Sequence, residues 1–187
     1  MELMQVAAGE GTCTVRVDGP ESTHVVLLLP GSGDDPTLYD EVCARLHNSG
    51  LRTVVLESVE GVDVAAVISV LDGLKLGWVN LVGTGAGADL AWQLAARSFG
   101  RFASLVVADR GHPSLPDDDG IVVESDCPAV ELPTTVMVGS RNLMQAELSG
   151  RHVYAEFRVV TLEGVTNIPM QASHEMATEI VLRTSSW

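Results

Sequence analysis

Positive charge is scarce in this chain. Lysine and arginine number 11 among 187 residues against 25 aspartates and glutamates, a formal charge of −14, and Lys75 is the single lysine. A phosphate backbone or an anionic membrane needs a basic patch, so this balance excludes nucleic acid and membrane surfaces as partners. The arginine bias is what a GC-rich bacterial genome produces and is assigned no mechanism. Cysteine is rare as well. Cys13, Cys43 and Cys127 are scattered and odd in number, which suits neither a disulfide framework nor a metal cluster. No run approaches the ~18 apolar residues that a membrane span requires. Met1-Glu2-Leu3-Met4 lacks the positive start and apolar core of a secretory signal. The expectation is a cytoplasmic protein without metal or cofactor. What the chain does have is apolar side chains, 46% of its residues, enough for one compact domain over residues 1–187.

In chain order, residues 2–7 and 12–18 read as two short strands around Gly9 and Gly11, a hairpin at a sheet edge. His24 to Leu29 is a continuous apolar run, the mark of a strand buried on both faces. Asp35 is placed as a cap with Pro36 at the first helical position, and Leu38, Val42 and Leu46 repeat at helical spacing up to Gly50. Arg52 to Leu56 predicts a strand, and Asp63 caps a helix carrying Val64, Val67, Ile68, Leu71 and Leu74. Further strands are expected at 78–82, 102–108, 134–138 and 153–162. Helices are expected at 88–97, at 143–149 and from a Ser173 cap to the C-terminus. Residues 110–133 carry Pro113, Pro116, Pro128 and Pro133 and no helical periodicity, so they read as an irregular loop. Strands alternating with helices predict an α/β fold: a doubly wound, mostly parallel sheet of about eight strands with helices on both faces.

One stretch organises the rest. Leu81-Val82-Gly83-Thr84-Gly85-Ala86-Gly87 links an apolar run to an amphipathic helix. This strand–turn–helix frame resembles the nucleophile elbow G-x-S-x-G of the α/β-hydrolase family, with Gly85 where the family keeps its serine. The element order matches that family over nearly the whole chain. The resemblance implies an oxyanion loop at Gly31-Ser32-Gly33, completed by the Ala86 N–H, with Thr84 beside it. It also implies an acid position at Asn142, in Gly139-Ser140-Arg141-Asn142, and a histidine position at Asn167, in Gly164-Val165-Thr166-Asn167. All three triad positions therefore lack the reactive side chain. Acyl transfer needs a nucleophile, a titratable base and a group that orients the base. An amide cannot supply the second, and glycine cannot supply the first.

Other residues are candidates for rescuing chemistry. Asp109 and His112 follow the strand after the elbow, an alternative acid position in the family, and His174 is the histidine nearest Asn167. Against them stand a turn carboxylate beside Arg110 and an exposed first-turn histidine. Ser32 is better suited to donating a hydrogen bond than to attack, and the Thr84 side chain should point away from the site. Asp117-Asp118-Asp119-Gly120 with Glu124 and Asp126 lacks calcium-loop spacing and reads as a solvated acidic run. Without a helical lid the site should be shallow or open, and Asp34 and Asp35 beside it disfavour anions. Two functional classes follow. The first is a non-catalytic binding or scaffold module for a protein, a second copy of the chain or a small apolar molecule. The alternative is an enzyme of non-triad mechanism (a weak esterase, lyase or cyclase) relying on Asp109, His112 or His174.

Overall fold

A computed structural model describes residues 1–185. Its centre is an eight-stranded sheet: β1 (Glu2–Ala8), β2 (Gly11–Asp18), β3 (Val25–Leu29), β4 (Arg52–Leu56), β5 (Val79–Thr84), β6 (Phe102–Ala108), β7 (Thr134–Val138) and β8 (Phe157–Thr161). The spatial order is β1-β2-β4-β3-β5-β6-β7-β8. β2 runs antiparallel to both its neighbours, and every pairing from β4 to β8 is parallel. β3, β5 and β7 are buried along their whole length, which is why β3 reads as an unbroken apolar run and the others show no polar alternation.

The side-chain period of two sorts β3 between two cores. Val26 and Leu28 face α1 (Asp40–Asn48) and α6 (Ser173–Thr184), whose Val42, Leu46, Met176 and Ile180 cover that side of the sheet. Leu27 and Leu29 face the other layer, formed by α2 (Val64–Gly73), α3 (Ala86–Arg97) and α4 (Leu143–Leu148), with Val67, Leu71, Trp92, Leu94 and Ala146 packed inward. The expected doubly wound arrangement is thus observed. The chain leaves β3 toward β4, crosses back to β5 and then proceeds outward to β8. That reversal opens a crevice at the carboxyl ends of β3 and β5, where sheets of this kind place their ligands.

Local signals hold in several places. Asp35 Oδ1 accepts from Thr37 N (2.9 Å) and opens a single 3-10 turn that runs into α1. Asp63 Oδ1 accepts from Ala66 N (2.8 Å) at the start of α2. Two expectations need correction. Ser173 does not cap α6. Asn167 caps a one-turn helix α5 (Ile168–Gln171), and α6 begins directly at Ser173 behind Ala172. The strand expected over 153–162 is confined to Phe157–Thr161. Val130 from the preceding crossover takes the backbone bonds at its start, donating to His152 O (2.7 Å) and accepting from Tyr154 N (2.8 Å). Residues 110–133 contain turns and that one bridge, with no helix.

Candidate functional site

The turn between β5 and α3 carries its shape in backbone contacts. A Cβ on Gly83 would overlap Gly87 O, and one on Gly87 would overlap the carbonyl oxygens of Leu29 and Pro30. Both glycines are therefore demanded by close approach of α3 to the ends of β3 and β5. Between them Gly85 has φ 56° and ψ −125°, torsions that strain any residue with a Cβ. There the space is open. The nearest atom to a Cβ on Gly85 would be Gly31 Cα at 3.5 Å, an ordinary van der Waals distance. The Ala86 N–H belongs to the first turn of α3, whose donors have no partner within the helix.

Gly85 lies in the wall of a pocket of about 320 Å³, together with Asp109, Arg110, Asp117, Asp119, Ser140, Arg141, Asn142, Val165 and Thr166. Three loops at the carboxyl ends of β6, β7 and β8 thus meet the elbow. The structure brings Gly85, Asp109 and Asn142 to one cavity, as sequence reasoning required of any shared site. Asn167 itself is turned away. Its Oδ1 accepts from Met170 N (3.3 Å), leaving its neighbours Val165 and Thr166 at the pocket. Thr84 and Ala86 flank Gly85 in the chain and Gly31 Cα approaches it in space, but none of these three, nor Ser32 or Gly33, is among the residues that line the cavity.

Asn142 holds the pocket wall together. It adopts a left-handed backbone, φ 61° and ψ 24°, which asparagine tolerates better than most residues. Its Nδ2 donates to Asp109 O (2.7 Å), its Oδ1 accepts from Asp118 N (3.0 Å) and its own N–H donates to Asp118 Oδ2 (2.8 Å). Both ends of the amide are used, and a carboxylate could satisfy only one of them. Beside this clasp Arg141 pairs with Asp119 (2.9 Å) and Arg110 with Asp117 (3.7 Å). Asp117 Oδ1 also accepts from the N–H groups of Asp119 and Ile121 (2.9 Å each). The acidic run is solvent-exposed at Asp118, Asp119 and Asp126, as expected, and its Asp117 and Asp119 also line the cavity. A segment without helices thus supplies one wall of a site that stays partly open.

Asp109 is the lining aspartate that makes no ion pair among the described residues. It has a left-handed backbone, φ 69°, and its carboxyl meets Thr84 Oγ1 at 3.5 Å. The Thr84 side chain therefore points toward Asp109 rather than away from the site. Burial, with Asp34 nearby, pushes the Asp109 carboxyl above the usual range, while Thr84 and Arg110 oppose the shift. Asp89 in the first turn of α3 is pushed up to about 6, chiefly by burial. The Asp34 carboxylate itself folds against Gly31, where a Cβ on Gly31 would overlap its Oδ2.

The two candidate histidines take no part in the pocket. His112 is fully buried. Its Nε2–H donates to Pro128 O (2.7 Å), leaving Nδ1 to accept from Ser114 Oγ (2.7 Å). Its ring stacks on His152, with centroids 4.5 Å apart, and meets the edge of Trp92. Burial lowers its pKa, so it is a neutral packing residue. His174 sits in the first turn of α6, with Nδ1 3.4 Å from Arg45 Nη1 of α1. Desolvation pushes the Cys43 and Cys127 thiols up to about 11, away from reactivity. Among the described residues no three histidine, cysteine or acidic side chains gather to hold a metal ion, and no helix is long and apolar enough to cross a membrane.

Sequence reasoning missed Arg110, Arg141 and the wall-forming role of Asp117 and Asp119. Their adjacency to Asp109 and Asn142 was the available signal. Which charges would pair depended on how the 110–133 segment folds back.

The strand order, the reversal at β3 and β5 and the elbow torsions define the α/β-hydrolase fold. Solved structures agree. An epoxide hydrolase from Vigna radiata superposes with a TM-score of 0.79 at 15% identity, covering 100% of this chain and 98% of that one. For Epoxide Hydrolase A from Mycobacterium thermoresistibile the values are 0.79, 10%, 96% and 97%. For an enol-lactonase from Burkholderia xenovorans they are 0.82, 13%, 98% and 100%. No protein-family model matches the sequence, and no curated protein matches it.

Proposed function

We propose that this chain is an α/β-hydrolase-fold protein without a working Ser-Asp/Glu-His triad, serving as a binding module through the pocket at Gly85. Gly85, Asn142 and Asn167 take the nucleophile, acid and base positions in this reading. The observation that carries it is Gly85 itself, which keeps the torsions of an elbow and has room for a Cβ but presents no nucleophile. Three features support it. No histidine is among the pocket-lining residues. Asn142 is committed to the clasp at both ends of its amide. The Asp34 carboxylate lies against Gly31, beside the loop that would have to stabilise an oxyanion, where a negative charge opposes rather than assists the transition state. The lining of three aspartates and two arginines makes a polar occupant a better fit than the small apolar molecule suggested by the sequence.

One observation favours a second reading. Asp109 lines the pocket with a raised pKa, and a carboxyl of that kind can move a proton in a lyase- or cyclase-type reaction or a weak esterase. With His112 and His174 elsewhere, it would act alone.

A fluorophosphonate probe and three substrates separate the readings: p-nitrophenyl acetate, a simple epoxide and a simple lactone, the last two in view of the enzymes that share the fold. The binding-module reading expects no labelling and no turnover above that of the Asp109→Asn variant. Stoichiometric labelling of any hydroxyl overturns it. Turnover that disappears in Asp109→Asn establishes the second reading.

A further inference from the structure

We propose that the face around the Gly85 pocket docks a protein segment carrying an arginine or lysine between apolar neighbours. The basic group enters beside Asp109, and the apolar neighbours lie on Ile121, Met144 and Met170. This inference rests on the binding-module reading and names its partner's chemistry.

The rim comes from three separate segments. Ile121, Met144 and Met170 are 58%, 70% and 62% exposed. Each is tied to the pocket wall. Ile121 exchanges backbone and side-chain bonds with Asp117: its N–H donates to Asp117 Oδ1 (2.9 Å) and its carbonyl accepts from Asp117 N (3.0 Å). Met144 stands two residues beyond Asn142 in the first turn of α4. Met170 N–H donates to Asn167 Oδ1, next to the pocket-lining Thr166. Large exposed apolar side chains on segments that carry the wall of a polar cavity suit an interaction surface, and methionines adapt readily to a partner's shape.

Charge selects the group that enters. Arg110 and Arg141 are already paired with Asp117 and Asp119. Asp109 has no ion pair among the described residues, and only the long Thr84 contact meets its carboxyl. Asp34 adds negative charge nearby, as does the chain's formal charge of −14. An anion entering here would face both carboxylates, and an apolar group would strip water from Asp109 without replacing its hydrogen bonds. An ammonium or guanidinium supplies the missing donor and opposite charge. A free amine could fill the cavity of about 320 Å³ but would leave the apolar rim in water. A protein segment uses both.

Selecting a phage-displayed library of random 12-residue peptides on the full chain tests this, followed by titration of the resynthesised peptides. Sequences with a basic residue flanked by apolar ones should be enriched. Their Kd should weaken at least tenfold on Asp109→Asn, and at least tenfold when citrulline or norleucine replaces the basic residue. The double variant Ile121→Ser/Met144→Ser should cost the peptides about threefold while leaving arginine amide unaffected. Both positions are exposed, and circular dichroism checks that the variants fold. The proposal is overturned by the absence of enrichment, by enriched peptides without a basic residue, or by binding indifferent to Asp109. Arginine amide binding as tightly as the peptides, with the rim variant silent, also overturns it and leaves a small-amine site. Fluorophosphonate labelling of the same preparation reports separately on the binding-module reading. An inert protein that selects no such peptide defeats the docking proposal alone, whereas a labelled one defeats the reading beneath it.

Discussion

The elbow at Gly83–Gly87 and the clasp at Asn142 both border one pocket and are held together by opposite means. At the elbow, missing side chains let α3 approach β3 and β5, because Gly83 and Gly87 have no Cβ to collide with neighbouring carbonyls. At the clasp, one side chain fixes the loops after β6 and β7 by bonding to Asp109 and Asp118. The elbow would tolerate new chemistry at its centre if its flanks are left alone. The clasp tolerates none, since its one chemically suggestive position already has structural work. Shape therefore fixes the first, and hydrogen bonding the second.

The contrast can be broken most forcefully at the elbow's flank. Gly87→Ala should destabilise the fold by about 3 kcal/mol, because the added Cβ meets backbone carbonyls at the end of β3 that cannot rotate aside. A urea titration giving less than about 1 kcal/mol would show that α3 can retreat and that its approach is not essential.

At the clasp, Asn142→Asp should cost about 2 kcal/mol at pH 7.5. The introduced carboxylate loses the donor to Asp109 O and comes close to the Asp118 carboxylate. Its folded-state pKa is raised by these neighbours, so the cost is relieved as pH falls and the protonated carboxyl can donate again. A pH-independent cost would rule out this electrostatic cause.

Gly85→Ala sharpens the comparison because its Cβ fits. Only backbone strain remains, on the order of 1 kcal/mol, so it should fall clearly short of Gly87→Ala in the same denaturant series. Equal losses would mean that the centre of the turn is as crowded as its flank.

The smallest effect lies behind the wall, where His112 anchors the 110–133 segment. Its folded-state pKa is lowered, first by burial and then by His152, with Pro128 O and Glu124 opposing. The sign follows: below an unfolded value near ~6.5 the unfolded chain binds more protons, so this group's stabilising contribution is present above that pH and is lost as pH falls through the folded value. Relative to His112→Gln, the native chain should therefore lose stability on acidification from pH 7 to 5. The opposite slope from Asp89, whose raised pKa costs stability as pH rises toward about 6, is common to both proteins and cancels in the difference. Parallel stability curves would show that His112 exchanges no protons on unfolding.

Much of this architecture was legible in the residues alone. Apolar runs marked β3 and β6 because strands buried on both faces leave no polar alternation, and Asp35 and Asp63 marked helix starts because a carboxylate satisfies first-turn N–H groups through local bonds. The glycines of the elbow were legible for the same reason: their demand arises within a few residues of chain. Tertiary structure decided the rest, where partners are distant in sequence. Nothing local told the 110–133 segment to fold Asp117 and Asp119 onto the β7 loop, or His112 to enter the core beside Trp92 and His152. Asn142 carries no sign in the sequence that both ends of its amide are spoken for, 33 and 24 residues away. Local propensity set the elements and the empty elbow. Long-range pairing of polar groups, which only the folded chain brings within hydrogen-bonding distance, set the pocket.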